Sequence, residues 1–261
     1  MATNSETCYS GVLIVNADDW GRDQNTTDRT LECVLCGAVS AVSAMVFMED
    51  SERASALARE RGIDVGLHLN LSTQFSAHGI SSHLLDHQER IARYLMGHRF
   101  AQVVFHPGLV RSFAHVVTAQ LEEFVRLYGA KPDRIDGHHH MHLSANIVLQ
   151  DLMPLGTRVR RNFSFERGEK SFLNRRYRRV LDNWLARRHR LTDFFFSLPP
   201  LDPPRLERIF SLSRASTVEL ETHPANPEEF RFLSDGEIFR WAGSDVPIAT
   251  RLRDHSFGRS C

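Results

Sequence analysis

The 261 residues are 42% hydrophobic and 25% charged, an ordinary globular composition, in a chain long enough to bury one large core. Lys and Arg (32) balance Asp and Glu (32), which argues against a protein whose main task is to neutralise nucleic-acid phosphates. No apolar run approaches the ~20 residues that span a bilayer, and residues 1–11 lack the basic-then-apolar pattern of a leader. The cysteines, Cys8, Cys33, Cys36 and Cys261, read as reduced thiols, so the expected compartment is the cytoplasm.

In chain order, the apolar run 13–15 predicts a first strand that ends at Asn16-Ala17-Asp18-Asp19. Residues 24–36 read as a helix stopped by Gly37. Cys33 and Cys36 fall within it at i,i+3, and no second cysteine pair exists to complete a zinc site. A second strand over 39–47, a helix over 51–61 closed by Gly62, and a third strand over 63–71 follow. Residues 72–87 read as a loop, and 84–96 and 107–128 as helices, the second with proline near its start and Gly129 past its end. A strand through Arg134-Ile135-Asp136 leads into a histidine cluster. Beyond it come a helix over 145–153, a strand over 157–161, arginine-rich helical sequence over 171–190, a proline-rich connection over 198–204 and a last strand over 217–221. Alternating strands and helices predict an α/β protein with parallel strands. Without repeat or composition break, residues 1–261 read as a single domain with an Arg-rich helical insertion around 164–204.

The unusual polar residues fall where strands end, the position of active sites in barrels and open parallel sheets. Asp18 and Asp19 would repel if both were buried and ionised. A bound metal ion relieves that, and helix capping is the plainer alternative. His68 alternates with leucines, as a ligand or as a satisfied core histidine. Four of the five residues from 138 to 142 are histidines, which packing does not explain, and imidazole is the commonest protein metal ligand. As a strand, this segment would place His138, His140 and His142 on one face. The residues alone do not select among them. Asp136 is placed to orient a ligand from behind, and His223, fixed by Pro224 just past a strand, suits a proton donor at a rim.

Four stretches, Leu13-Ile-Val-Asn-Ala-Asp-Asp-Trp-Gly21, Gly66-Leu-His-Leu-Asn70, Asp136-Gly-His-His-His-Met-His142 and Glu219-Leu-Glu-Thr-His-Pro224, together resemble the YdjC/ChbG-like family of carbohydrate deacetylases. Trp20 stands where that family commonly carries phenylalanine. The resemblance implies a distorted (β/α) barrel, a divalent ion (Mg2+ or Zn2+), a homodimer, and removal of the acetyl group from N-acetylated sugars. By position it makes Asp19, His68 and His138 the metal ligands, Asp18 the general base and His223 the general acid. Arg160, His140 and Asn70 are assigned to substrate binding, Arg160 because it ends a predicted strand.

The stretch 158–190 holds Arg158, Arg160, Arg161, Arg167, Arg175, Arg176, Arg178, Arg179, Arg187, Arg188 and Arg190, with Tyr177 and Trp184 among them. A solvated, ion-paired helix face is the plain reading. Peripheral contact with an anionic membrane is the sharper one. A differently specific or non-catalytic metal-binding protein using this basic helix on anionic lipid or nucleic acid is the competing function.

Overall fold

The computed structural model describes residues 11–97, 100–165, 168–243 and 248, so Cys8, Cys261, Glu166 and Arg167 lie outside the described residues. Seven parallel strands form one sheet: β1 (Val12–Trp20), β2 (Ala41–Ala44), β3 (Val65–Leu69), β4 (Arg134–Gly137), β5 (Arg158–Val159), β6 (Phe194–Ser197) and β7 (Thr217–Thr222). Their order, β5-β4-β3-β2-β1-β7-β6, is the chain order wrapped round an arc. The result is a half-barrel whose missing closure lies between β5 and β6; its parallel strands are those the alternation predicts, and the family resemblance implies the distorted barrel.

Helices pack outside the arc: α1 (Gln24–Leu35), α2 (Ser51–Arg61), α3 (Ser82–Gly97), α4 (Val110–Tyr128), α5 (Ala145–Leu149), α6 (Phe172–Leu185), α7 (Pro203–Ser213), α8 (Pro227–Ser234) and α9 (Glu237–Ala242). Asp23, rather than Asp18 or Asp19, caps α1, its side chain accepting from the Thr26 N–H at 2.8 Å. The two strand-end carboxylates are therefore left for other work. Gly62 and Gly129 end α2 and α4 in the left-handed conformation, their N–H groups returning to Ala58 and Val125. Cys33 is buried in α1, and burial pushes its thiol up to about 12, with Cys36 and Glu32 adding to the shift. That describes an inert core thiol.

Several boundaries differ from expectation. β1 runs on through Asp18 and Asp19 to Trp20 because pairing with β2 continues past a register shift between Ala17 and Trp20. The expected strand over 157–161 shrinks to two residues, and β6 and helices α7 to α9 were not anticipated. The histidine cluster is not a strand. β4 ends at Gly137, and His138–Leu143 is a 3-10 turn in which His139 and His140 have φ of 53° and 56°. Positive φ breaks the period-two alternation, so His138, His140 and His142 do not share a face.

The arginine-rich segment becomes α6, docked through buried Asp182, which accepts from the Asn162 backbone N–H (3.0 Å), Asn162 Nδ2 (2.8 Å) and Arg161 (3.1 Å). Its Leu173, Tyr177, Val180 and Trp184 side chains are exposed.

Candidate metal and catalytic site

Strand alternation turns Asn16 and Asp18 of β1, Ser43 of β2, His68 of β3, Asp136 of β4 and Glu219 and Glu221 of β7 into a common buried space, with Arg160 just past β5. Parallel pairing sets His68 opposite Asp136. Arg160 is fully buried at the centre. Its Nε donates to Glu219 at 2.6 Å, its terminal nitrogens meet both oxygens of Asp18 at 2.6 and 2.7 Å, Asp136 Oδ2 at 2.9 Å and Glu221 Oε2 at 3.3 Å, and its guanidinium lies 4.9 Å from the ring centre of Phe195. Burial opposes charge on Arg160, but Asp136, Asp18 and Glu219 outweigh it and raise its pKa well above the ordinary value. Four carboxylates around one guanidinium leave excess negative charge that burial pushes back on: Glu221 is raised well above the ordinary range by burial and then by Asp18, while Arg160 opposes.

Asp19, His68 and His138 converge. Asp19 Oδ1 lies 3.3 Å from His68 Nε2 and 3.0 Å from His138 Nδ1, and ligand atoms of the three fall within 4.8 Å of one another. Asp19 has φ of 66°, a left-handed conformation that a non-glycine residue adopts at a cost. Arg22 holds its other oxygen at 3.0 Å. Burial opposes ionisation of Asp19, yet the neighbouring His138 and His68 rings outweigh it and hold the carboxyl well below the usual range.

His68 is held from behind. Its Nδ1 meets Asp136 Oδ1 at 2.7 Å, and Asp136 is itself held by Ser43 Oγ (2.5 Å) and Arg160. With Nδ1–H donated to Asp136, loss of the Nε2 proton would leave an Nε2 lone pair directed toward Asp19 for an ion to take. Burial disfavours a charged His68, but Asp18 and Asp136 outweigh burial and raise its pKa well above the ordinary value, so positive charge is stabilised at this ring. Asp19 Oδ1 and His68 Nε2 are both buried and make no hydrogen bond. Two buried, unsatisfied ligand atoms facing each other, with one carboxylate and two imidazoles in reach, fit a divalent ion.

A second cluster adjoins the first. Asp18, Glu221 and His223 offer ligand atoms within 4.8 Å of one another, with His223 Nε2 3.8 Å from Glu221 Oε1. His223 is partly exposed at the mouth and its backbone N–H donates to Glu229 at 2.8 Å. Asn16 Nδ2 steadies Asp18 (2.7 Å) and Ser43 (2.8 Å).

Arg160 and Asn70, expected at the substrate, are buried and meet partners within the protein. Arg160 is committed to four carboxylates. Asn70 is buried and builds the turn after β3, its Oδ1 accepting from Ser72 and Thr73 N–H (3.3 and 2.9 Å) and its Nδ2 donating to Thr73 O at 2.7 Å. His140 does reach open space. It lines a cavity of about 420 Å³ with Phe163, Phe195, Tyr177 and Arg178, and its ring meets that of Phe163 edge-on at 4.6 Å. Burial, then Arg160 and His142, push its pKa well below the ordinary value, so this ring is neutral. Glu219, Glu221 and Ser43 were not anticipated. Charged residues at alternate positions of a buried parallel strand, as at 219 and 221, are the signal, because both faces of such a strand are covered.

Fold and site thus define a half-barrel α/β protein with an Asp-His-His cluster able to hold a metal ion at the carboxyl ends of its strands. The profile of the family described as YdjC-like protein matches residues 12–255, and the chain belongs to that family. A chitooligosaccharide deacetylase of Serratia marcescens is 33% identical over 141 residues, 52% of each chain. A carbohydrate deacetylase of Mus musculus is 34% identical over 135 residues, 50% of this chain and 43% of the mouse protein. The chain thus aligns with about half the length of these relatives. A crystal structure of an Enterococcus faecalis V583 protein, provisionally assigned to cellobiose-phosphate cleavage, superposes with a TM-score of 0.64 at 17% identity, over 92% of this chain and 97% of that one, a likeness of fold.

Proposed function

We propose that this chain is a metal-dependent hydrolase that removes the acetyl group from an N-acetylated amino sugar or oligosaccharide. The observation that carries this reading is the convergence of Asp19, His68 and His138 on one point, with Asp19 Oδ1 and His68 Nε2 buried and unsatisfied. The names of the Serratia and mouse relatives supply the substrate class.

In this reading Asp19, His68 and His138 hold Mg2+ or Zn2+, and two imidazoles with a carboxylate suit zinc. The ion supplies Lewis-acid polarisation of the amide carbonyl and acidifies water. Asp18, locked in orientation by Arg160 and Asn16, takes the proton of the attacking water. His223, at the mouth, gives a proton to the departing amine, which otherwise leaves poorly. Each such transfer is typically worth ~10²–10⁴-fold in rate. The aromatic wall of His140, Phe163 and Phe195 receives the sugar ring.

The test is acetate release from N-acetylglucosamine oligomers. EDTA should abolish it and added metal restore it. Asp19→Ala should lose metal and activity together, whereas Asp18→Asn should keep the metal and lose at least about 100-fold in kcat. Full activity in Asp18→Asn would remove Asp18 from the role of base. One observation favours a second reading: the exposed apolar side of α6 beside Arg175, Arg176 and Arg179 suits an anionic membrane surface. Sedimentation with anionic vesicles, without acetate release from any sugar, would support that reading instead.

A further inference from the structure

Away from the barrel mouth, His83 and His87 of α3 and His115 of α4 form a cluster in which each ring approaches the other two. The centroids are 4.5 Å apart for His83 and His87, 4.9 Å for His83 and His115, and 5.0 Å for His87 and His115. His83 and His115 are exposed and His87 is half-buried. The i,i+4 spacing puts His83 and His87 on one side of α3, with their Nε2 atoms 3.3 Å apart. Zinc–nitrogen bonds of about 2.0–2.1 Å at a tetrahedral angle place two ligand nitrogens roughly 3.3 Å apart. The pair thus stands at chelating separation before any ion arrives, and exposed His115, whose ring centre lies 4.9 and 5.0 Å from theirs, would supply a third nitrogen after a change of side-chain conformation.

A hydrogen-bond partner for the other ring nitrogen of His87 is also in place. His87 Nδ1 meets Ser112 Oγ of α4 at 2.9 Å. With Nδ1–H donated to that hydroxyl, Nε2 would be free to turn its lone pair toward an ion beside His83, the arrangement by which metal-binding histidines are usually oriented.

We infer that His83, His87 and His115 form a second, surface site for a divalent transition ion, zinc by its imidazole donors, that clips α3 to α4. The clip bears on the candidate active site indirectly. Gln88 of α3 donates to Thr73 O at 2.7 Å, and Gln120 of α4 pairs with both backbone groups of Asn70 (2.8 and 3.0 Å). The two helices therefore grip the turn that follows His68. The inference stands independently of the proposed deacetylase activity, since none of its ligands belongs to the barrel site.

The experiment is zinc binding by equilibrium dialysis on the metal-stripped full chain. The Asp19→Ala/His68→Ala protein should still take up one zinc ion. Adding His83→Ala and His115→Ala should abolish that uptake, and adding Ser112→Ala should weaken it about tenfold. Should the barrel double variant fail to fold, the wild type is compared with His83→Ala/His115→Ala, whose substitutions are exposed, and the loss of one zinc equivalent is expected. No zinc uptake by the folded barrel variant, or uptake unchanged by His83→Ala/His115→Ala, would overturn the inference and leave a hydrogen-bonded imidazole pair.

Discussion

Asp136 shows how much of the site depends on residues that need not touch an ion. It accepts from His68 Nδ1, from Ser43 and from Arg160, so it fixes which nitrogen of His68 is free. Burial opposes its ionisation, but Arg160 and His68 outweigh burial and hold it well below the usual range. Asp136→Asn should therefore weaken metal affinity about 10–100-fold while leaving Asp19, His68 and His138 in place, as a competition titration with a chelating dye would show. Unchanged affinity would mean that His68 is oriented by something else. At this scale the sequence was informative where residue type was unusual for its setting, as at Asp18-Asp19 and the histidine run. It said least where the partner matters more than the residue. Arg160 reads as a substrate contact because only its place at a strand end is visible. The carboxylates that surround it come from positions 18, 136, 219 and 221, remote in sequence.

Between β4 and the histidine turn, the chain changes direction at Gly137, where a side chain has no room. A Cβ there would stand 2.9 Å from the His142 backbone nitrogen and 3.0 Å from its Cβ. Gly137→Ala should destabilise the protein by about 1–3 kcal/mol through this overpacking. Thermal unfolding would register roughly 2–4 °C per kcal/mol, and metal binding through adjacent His138 should weaken in parallel. Elements such as α2 and α4 could be read from the sequence because helix-favouring composition and glycine stops agree. The histidine turn could not, because the left-handed residues His139 and His140 carry no local mark such as glycine. β6 escaped notice for another reason: Phe194-Phe195-Phe196-Ser197 is short, continuous and flanked by arginines and prolines, so no periodicity declares it.

Across the molecule, the sequential strand order draws residues from 18 to 223 to one end of the sheet and buries ionisable groups that small domains ordinarily leave wet. Stability should consequently depend on pH. His142 is fully enclosed beneath the site, its Nε2 3.0 Å from Arg160 O, and burial pushes its pKa down to about 4 from an ordinary 6.5. Between those values the unfolded chain binds a proton that the native state refuses, so this contribution is complete above about pH 6.5 and is lost as pH falls toward 4. At about 1.36 kcal/mol per unit, the window is worth roughly 3 kcal/mol. Denaturant titrations of the wild type and His142→Gln from pH 7 to 4 should show the wild type losing its advantage on acidification. A difference independent of pH would contradict this assignment. The α/β class, the parallel sheet and the family were legible at this scale because four motifs in fixed order span most of the chain.

The central claim is that one ion is held by Asp19, His68 and His138. Anomalous diffraction from crystals of the wild-type protein grown with zinc tests it most directly. The expected result is a peak about 2.0–2.2 Å from Asp19 Oδ1, His68 Nε2 and a His138 ring nitrogen. Ordered side chains at these three positions with no peak between them at saturating zinc would contradict it.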